Sequence, residues 1–218
     1  MRLLQSQILF LFLMASAGII LAQPEHYEEK ADGILYEASE VLKAHEAIRM
    51  TFSYTMQNEE LEQYDQAEGF ILTSGDKYYL KQGLYHMISD GKTAWTFLEE
   101  VNEVHISYAE DTEAAMNPVT VLDNFQEDFR ARWIRLEPRD EENVHIIDLV
   151  PHEPQTFYKY RVAIGEQSHQ ISYTEAHDRQ GGIYRYEIAA IDTDPDIREE
   201  KFTFQPDDHP DIEVVDLR

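Results

Sequence analysis

Cysteine is absent from the 218-residue chain. That excludes disulfides, a thiolate nucleophile and any zinc site built on Cys. Basic residues are scarce: 18 Lys and Arg stand against 43 Asp and Glu, a formal net charge of −25. Nucleic-acid binding needs a basic footprint, and phosphate would repel this surface. An anionic membrane would repel it as well. The common catalytic motifs are also missing: no Gly-x-Ser-x-Gly elbow, phosphate loop, Gly-x-Gly-x-x-Gly or His-Glu-x-x-His occurs. The nine His are scattered. His145 alternates with Val144 and Ile146, His152 lies between two prolines, and His209 precedes Pro210. No spacing sets two imidazoles on one metal. Asp192-Thr193-Asp194-Pro195-Asp196 fails the calcium-loop template, because Ile197 stands where Gly is needed and Thr203 where a bidentate Glu is needed. With so many acidic residues, paired carboxylates occur by chance, and no pair supports a glycosidase. The expectation is a non-enzymatic protein with no catalytic residue, no metal and no cofactor.

What is present is apolar. Hydrophobic residues make up 43% of the chain, and 13 Tyr, 10 Phe and 2 Trp supply aromatic mass. That is enough for a packed core, so disorder is not expected. The longest apolar run, Ile8 to Ala22, follows Arg2 and precedes acidic polar sequence. Residues 1–22 read as a secretory signal peptide, cleaved near Ala22, because the run is short for a membrane span. No Cys follows it, so the chain is not itself a diacylated lipoprotein. Residues 23–218 then form a single exported domain.

Ile34, Ala38, Val41, Leu42, His45 and Ile48 recur at helical steps and predict one amphipathic helix, with Gly33 weakening its start. Strands follow. Met50 to Met56 alternates large apolar residues with hydroxyls. Glu68–Leu72 and Lys77–Leu80 form a hairpin around Ser74-Gly75-Asp76, and Leu84–Ile88 pairs with Thr93–Leu98 across Asp90-Gly91. Val104–Tyr108 completes this group. Asn117 and Pro118 open a second helix that places Val121, Leu122, Phe125 and Phe129 on one stripe. Six further strands are expected at Trp133–Leu136, Val144–Val150, Tyr158–Ile164, Gln170–Glu175, Ile183–Ile191 and Lys201–Phe204. Without strand–helix alternation a doubly wound sheet is disfavoured. The fold class is mainly β with a few helices: a strongly curved antiparallel sheet of about ten or eleven strands, covered by helices.

Aromatic stripes are the informative feature. Phe52 and Tyr54 share one strand face, Trp95 and Phe97 another, Ile106 and Tyr108 a third. Such stripes make either an ordinary core or the wall of an apolar pocket under a curved sheet.

The chain resembles the LolA family, periplasmic carriers of outer-membrane lipoproteins, and especially its Bacteroidetes-type members. The likeness runs through Lys30-Ala31-Asp32-Gly33-Ile34-Leu35, Phe52-Ser53-Tyr54, Ser89-Asp90-Gly91-Lys92-Thr93-Ala94-Trp95, Asn117-Pro118 with Leu122, Lys201-Phe202-Thr203-Phe204 and the tail from Pro210 to Arg218. The resemblance implies an incomplete β-barrel under a helical lid, whose interior takes acyl chains. By position it places Leu42, Leu122 and Ile171 in the lining. With the stripes, the candidate cavity and lid residues are Leu42, Ile48, Phe52, Tyr54, Trp95, Phe97, Ile106, Tyr108, Leu122, Phe125 and Ile171. The implied partners are acylated lipoproteins, an inner-membrane lipoprotein-releasing ABC transporter, and an outer-membrane acceptor or the outer membrane itself. A monomer with no nucleic-acid partner is expected. The alternative is a periplasmic module that senses or binds lipid on the same half-barrel without delivering it. One departure stands out. The Arg followed by Pro that fastens the lid in proteobacterial members is missing, and Thr73-Ser74-Gly75-Asp76 occupies its place. Either the lid is held in another way or it is looser.

Overall fold

Alternation from Ile48 to Asn58 builds strand β1 near the middle of the sheet. Met50, Phe52 and Tyr54 point to one buried face, while Thr51, Ser53 and Thr55 lie half-buried on the other. The computed structural model describes residues 24–111, 120–123, 125–139 and 141–218. The signal peptide expected at residues 1–22 and the helix start at Asn117-Pro118 lie outside the described residues.

Helix α1 (Pro24–Lys43) leads into β1. Then come β2 (Gln63–Ser74), β3 (Lys77–Gln82), β4 (Tyr85–Ser89), β5 (Thr93–Leu98) and β6 (Glu103–Tyr108). Two one-turn helices, α2 (Thr120–Asp123) and α3 (Phe125–Asp128), precede β7 (Phe129–Glu137). The remaining strands are β8 (Val144–Pro151), β9 (Phe157–Gly165), β10 (Ile171–Asp178), β11 (Ile183–Thr193) and β12 (Glu213–Asp216). They form one twelve-stranded sheet in the order β12-β6-β5-β4-β3-β2-β1-β11-β10-β9-β8-β7. The sheet is open, curved and antiparallel, except that β12 runs parallel to β6.

The turns follow local chemistry. Gly91 takes φ +87° after Asp90, whose carboxylate accepts the amides of Lys92 and Thr93 at 2.9 and 2.8 Å. Gly69 sits opposite Phe52 across β1 and β2. A side chain there would have its Cβ 2.3 Å from the Lys81 carbonyl oxygen and 2.7 Å from the Phe52 ring. Glycine is what lets that ring lie flat on the sheet.

Four expectations are corrected. First, α1 begins at Pro24 and ends at Lys43, so Ile48 lies in β1 rather than on the helix, where it pairs with Thr73 and Thr193. The buried helix face is Ala31, Leu35, Ala38 and Leu42, with Ile34 and Val41 only half-buried. Second, Phe129 opens β7 instead of extending the second helix. Third, Lys201–Phe204 is no strand. Glu199–Phe202 is a 3-10 turn that buries Phe202, and the chain then buries Phe204 as well. Fourth, the tail contributes β12, a twelfth strand in a sheet expected to hold about ten or eleven.

Both faces of the sheet carry packed apolar clusters. The concave face packs against α1 and the α2–α3 pair, forming the main core. On the rear face of β3 to β6, Ile88, Phe97, Val104 and Phe204 form a separate cluster under the C-terminal segment. Tyr79, Trp95 and Ile212 pack against it.

Candidate functional site

The concave interior is where helices and sheet meet. Leu35 and Leu42 enter from α1, and Val121, Leu122 and Phe125 from the α2–α3 pair. They meet Met50 and Phe52 on β1, Ile147 and Leu149 on β8, Val162 and Ile164 on β9, and Ile171 on β10. Leu35, Leu122, Ile147, Leu149 and Ile164 are wholly buried. Here the helix side chains occupy the concavity of the sheet themselves.

The sheet lining has two chemistries. Toward β8, β9 and β10 it is mostly aliphatic, with Phe157 and Tyr160 of β9 as aromatic members. Toward β1, β3, β4 and β11 it carries phenols: Tyr54, Tyr78, Tyr85 and Tyr186. Tyr186 meets Phe52 and Tyr54 with ring centroids 5.0 and 5.1 Å apart, and its hydroxyl donates to Gln82 Oε1 at 2.9 Å. Burial raises the pKa of Tyr54 and of Tyr78 to about 12 and that of Tyr186 still further. All stay protonated donors at neutral pH.

Helix α1 is tied down at three places. The Lys30 ammonium lies 3.5 Å from the centroid of the Trp133 ring on β7, and Tyr27 stacks on the same ring at 5.9 Å and 8°. Trp133 Nε1 donates to His145 Nδ1 at 3.1 Å, which sets the indole plane. Midway, Glu37 meets His169 at 3.2 Å. Past the helix end, the Asp194 carboxylate bonds His45 Nδ1 at 2.9 Å and accepts the Glu46 amide at 3.0 Å. The acidic turn at the end of β11 is therefore a clamp. Among the described residues no group of His, Asp and Glu could hold a metal.

The structure brings together Leu42, Ile48, Phe52, Tyr54, Leu122, Phe125 and Ile171 in this interior. It does not bring in Trp95, Phe97, Ile106 and Tyr108. Phe97 and Trp95 belong to the rear cluster, Ile106 pairs with Trp95 across β5 and β6, and Tyr108 is 49% exposed. Register decides this. Phe52 stands opposite Gly69, and Met50 leads through Ile71, Leu80 and Met87 to Thr96, so Thr96 shares the concave face and its neighbours Trp95 and Phe97 cannot. Beside Phe97 a cleft of about 460 Å³ opens on the rear face, lined by Tyr79, His86, Ile88, Phe204 and His209. His86 there bonds the Tyr79 hydroxyl at 3.2 Å and Glu99 at 3.1 Å, and burial lowers its pKa. The sequence reading missed Leu35, Tyr78, Tyr186 and Trp133. Leu35 was detectable, since it falls at helical steps from Ala31, Ala38 and Leu42.

A family model described as the outer membrane lipoprotein carrier protein LolA matches residues 44–205. The chain belongs to the LolA family. That match covers the sheet from the β1 approach to the C-terminal segment. Several solved structures are similar to this chain, and the first of those below shares its fold. An uncharacterized conserved protein from Thermus thermophilus superposes with a TM-score of 0.59 at 13% identity, over 86% of this chain and 99% of that one. A putative outer membrane lipoprotein-sorting protein domain from Vibrio parahaemolyticus gives 0.49 at 12% identity, over 81% and 97% of the two chains. Lipoprotein LppX of Mycobacterium tuberculosis gives 0.43 at 11%, over 77% and 99%. No protein of curated function matches the sequence.

In this LolA-family chain Thr73-Ser74 ends β2, and Gly75 turns it with φ +55°. That stretch carries no cation toward α1. The fastening falls instead on Trp133, at the opposite edge strand, where Lys30 and Tyr27 reach it from the helix.

Proposed function

We propose that this chain is an exported, non-enzymatic periplasmic carrier that takes acyl chains of lipoproteins into its concave interior and moves them from the inner to the outer membrane. Its donor would be the inner-membrane lipoprotein-releasing ABC transporter, and its acceptor an outer-membrane receptor or that membrane itself. Family membership supports a lipoprotein-binding role. One observation carries the mechanism: Leu122, on a one-turn helix, is wholly buried against the open sheet.

A carrier must hold its cargo and also let go. Burying one sixteen-carbon acyl chain recovers about 12 kcal/mol if fully dry. Several such chains would never leave a passive pocket. Each large side chain they displace forfeits about 1.5–3 kcal/mol of its own burial. Leu42, Leu122 and Phe125 compete with cargo for the same surface, which brings the net affinity down to a deliverable value. The acidic surface suits a protein that must leave an anionic bilayer.

The test is native mass spectrometry of the protein purified from its own periplasm without detergent. A bound acylated polypeptide is the expected result and identifies the cargo. Free lipid alone would replace delivery with lipid binding or sensing. No ligand, together with failure to take up a diacylated lipopeptide, would overturn the carrier reading.

A further inference from the structure

We propose that the Tyr78 hydroxyl is a binding group for an acyl carbonyl, so that the interior recognises the ester end of its ligand as well as its hydrocarbon. This rests on the carrier reading and adds a ligand chemistry to it. The Tyr78 hydroxyl is buried and has no hydrogen-bond partner among the described residues. An unsatisfied buried hydroxyl is costly, and folded proteins rarely keep one without use.

The other phenols of the interior are already committed: Tyr186 donates to Gln82, Tyr54 also engages Gln82, and Tyr85 bonds Thr96. Ser89, directly across from Tyr78 on β4, accepts the Gly91 amide at 3.1 Å. Tyr78 packs against the same core that holds Leu122 and Phe52. Burial holds its phenol at about pKa 12, so at neutral pH it can always donate. A phenol needs an acceptor, and a hydrocarbon chain has none. The acceptor that accompanies a fatty chain is its ester or amide carbonyl. The aliphatic residues of β8 to β10 then take the chain, and Tyr78 takes its polar end.

The experiment uses the mature exported protein and two pairs of probes. One pair is a dipalmitoyl-glyceryl-cysteine lipopeptide and its dihexadecyl ether counterpart. The other is dipalmitoyl phosphatidylethanolamine and its ether counterpart. Each pair competes at equal concentration, and bound species are counted by native mass spectrometry. The expected result is about tenfold preference for ester over ether in the wild type, lost in Tyr78→Phe, with ether binding and Tm unchanged. Removing an unpartnered hydroxyl should not unfold the protein, and Tyr85→Phe controls for loss of any phenol. Preference in the lipopeptide pair points to lipoprotein as the ester source, and preference only in the phospholipid pair to membrane lipid; both support the site. Equal binding of ester and ether in the wild type, or a preference that survives Tyr78→Phe, overturns it. If no probe binds the wild type, the carrier reading fails and this inference with it.

Discussion

Lys30 on α1 stands 3.5 Å above the ring of Trp133 on the edge strand β7. The contact joins the covering helix to the far edge of the sheet, and Tyr27 closes the same ring from the helix side. Trp133→Ala should therefore loosen α1 more than the sheet. The half-buried ring and its cation contribute about 2 kcal/mol. Hydrogen exchange should quicken in α1 while β1 and β11 stay protected. Uniform quickening would show that Trp133 is ordinary core.

Leu122→Ala removes a competitor from the interior. Cargo should be held about tenfold more tightly and released more slowly, because displacing the helix becomes easier. Release of a fluorescent diacyl lipopeptide to acceptor vesicles measures this. Equal loss of folding and loading would refute the competition.

Phe97→Ala is the matching control on the rear face. It should destabilise the fold by about 3–5 kcal/mol, since the ring packs on Phe204 and His209 at 5.5 and 4.4 Å. Lipopeptide uptake by the fraction that stays folded should not change. Selective loss of uptake would return Phe97 to the binding interior.

Glu175 ties together Arg185 and His177 on the rear face of β10 and β11. Burial alone would raise its pKa, but the nearby His177 imidazole and the hydrogen bond from Arg185 prevail and hold it at about 2, below the ordinary 4.5. A folded value below the unfolded one means the stabilisation is complete above pH 4.5 and disappears as pH falls toward 2. Urea midpoints measured across that interval should drop less steeply in Glu175→Gln than in the wild type. Parallel slopes would remove Glu175 from the acid response.

Much of the fold was legible because its signals are local. Period-two alternation from Met50 to Met56 and the Asp90-Gly91 turn depend on a few neighbouring residues and the φ that glycine accepts. The same reasoning failed at Lys201–Phe204. Phe202 and Phe204 alternate as in a strand, yet both are buried without pairing to any strand, Phe204 by capping the rear cluster. It failed again at Ile48, where the apolar spacing continued the helix but pairing with Thr73 and Thr193 drew the residue into β1.

The sequence by itself determined the strands, the tight turns, an acidic surface unsuited to phosphate, and the residues available to bury. It also showed that Phe52 shares a face with Tyr54, and Trp95 with Phe97. Only the tertiary structure decided that these pairs look in opposite directions. Alternation tells which side chains lie together, but not on which side of the sheet, and here helices cover one side and the C-terminal segment the other. Each side carries an apolar cluster, so hydrophobicity alone cannot choose between them. The choice is made by register carried from strand to strand across the sheet.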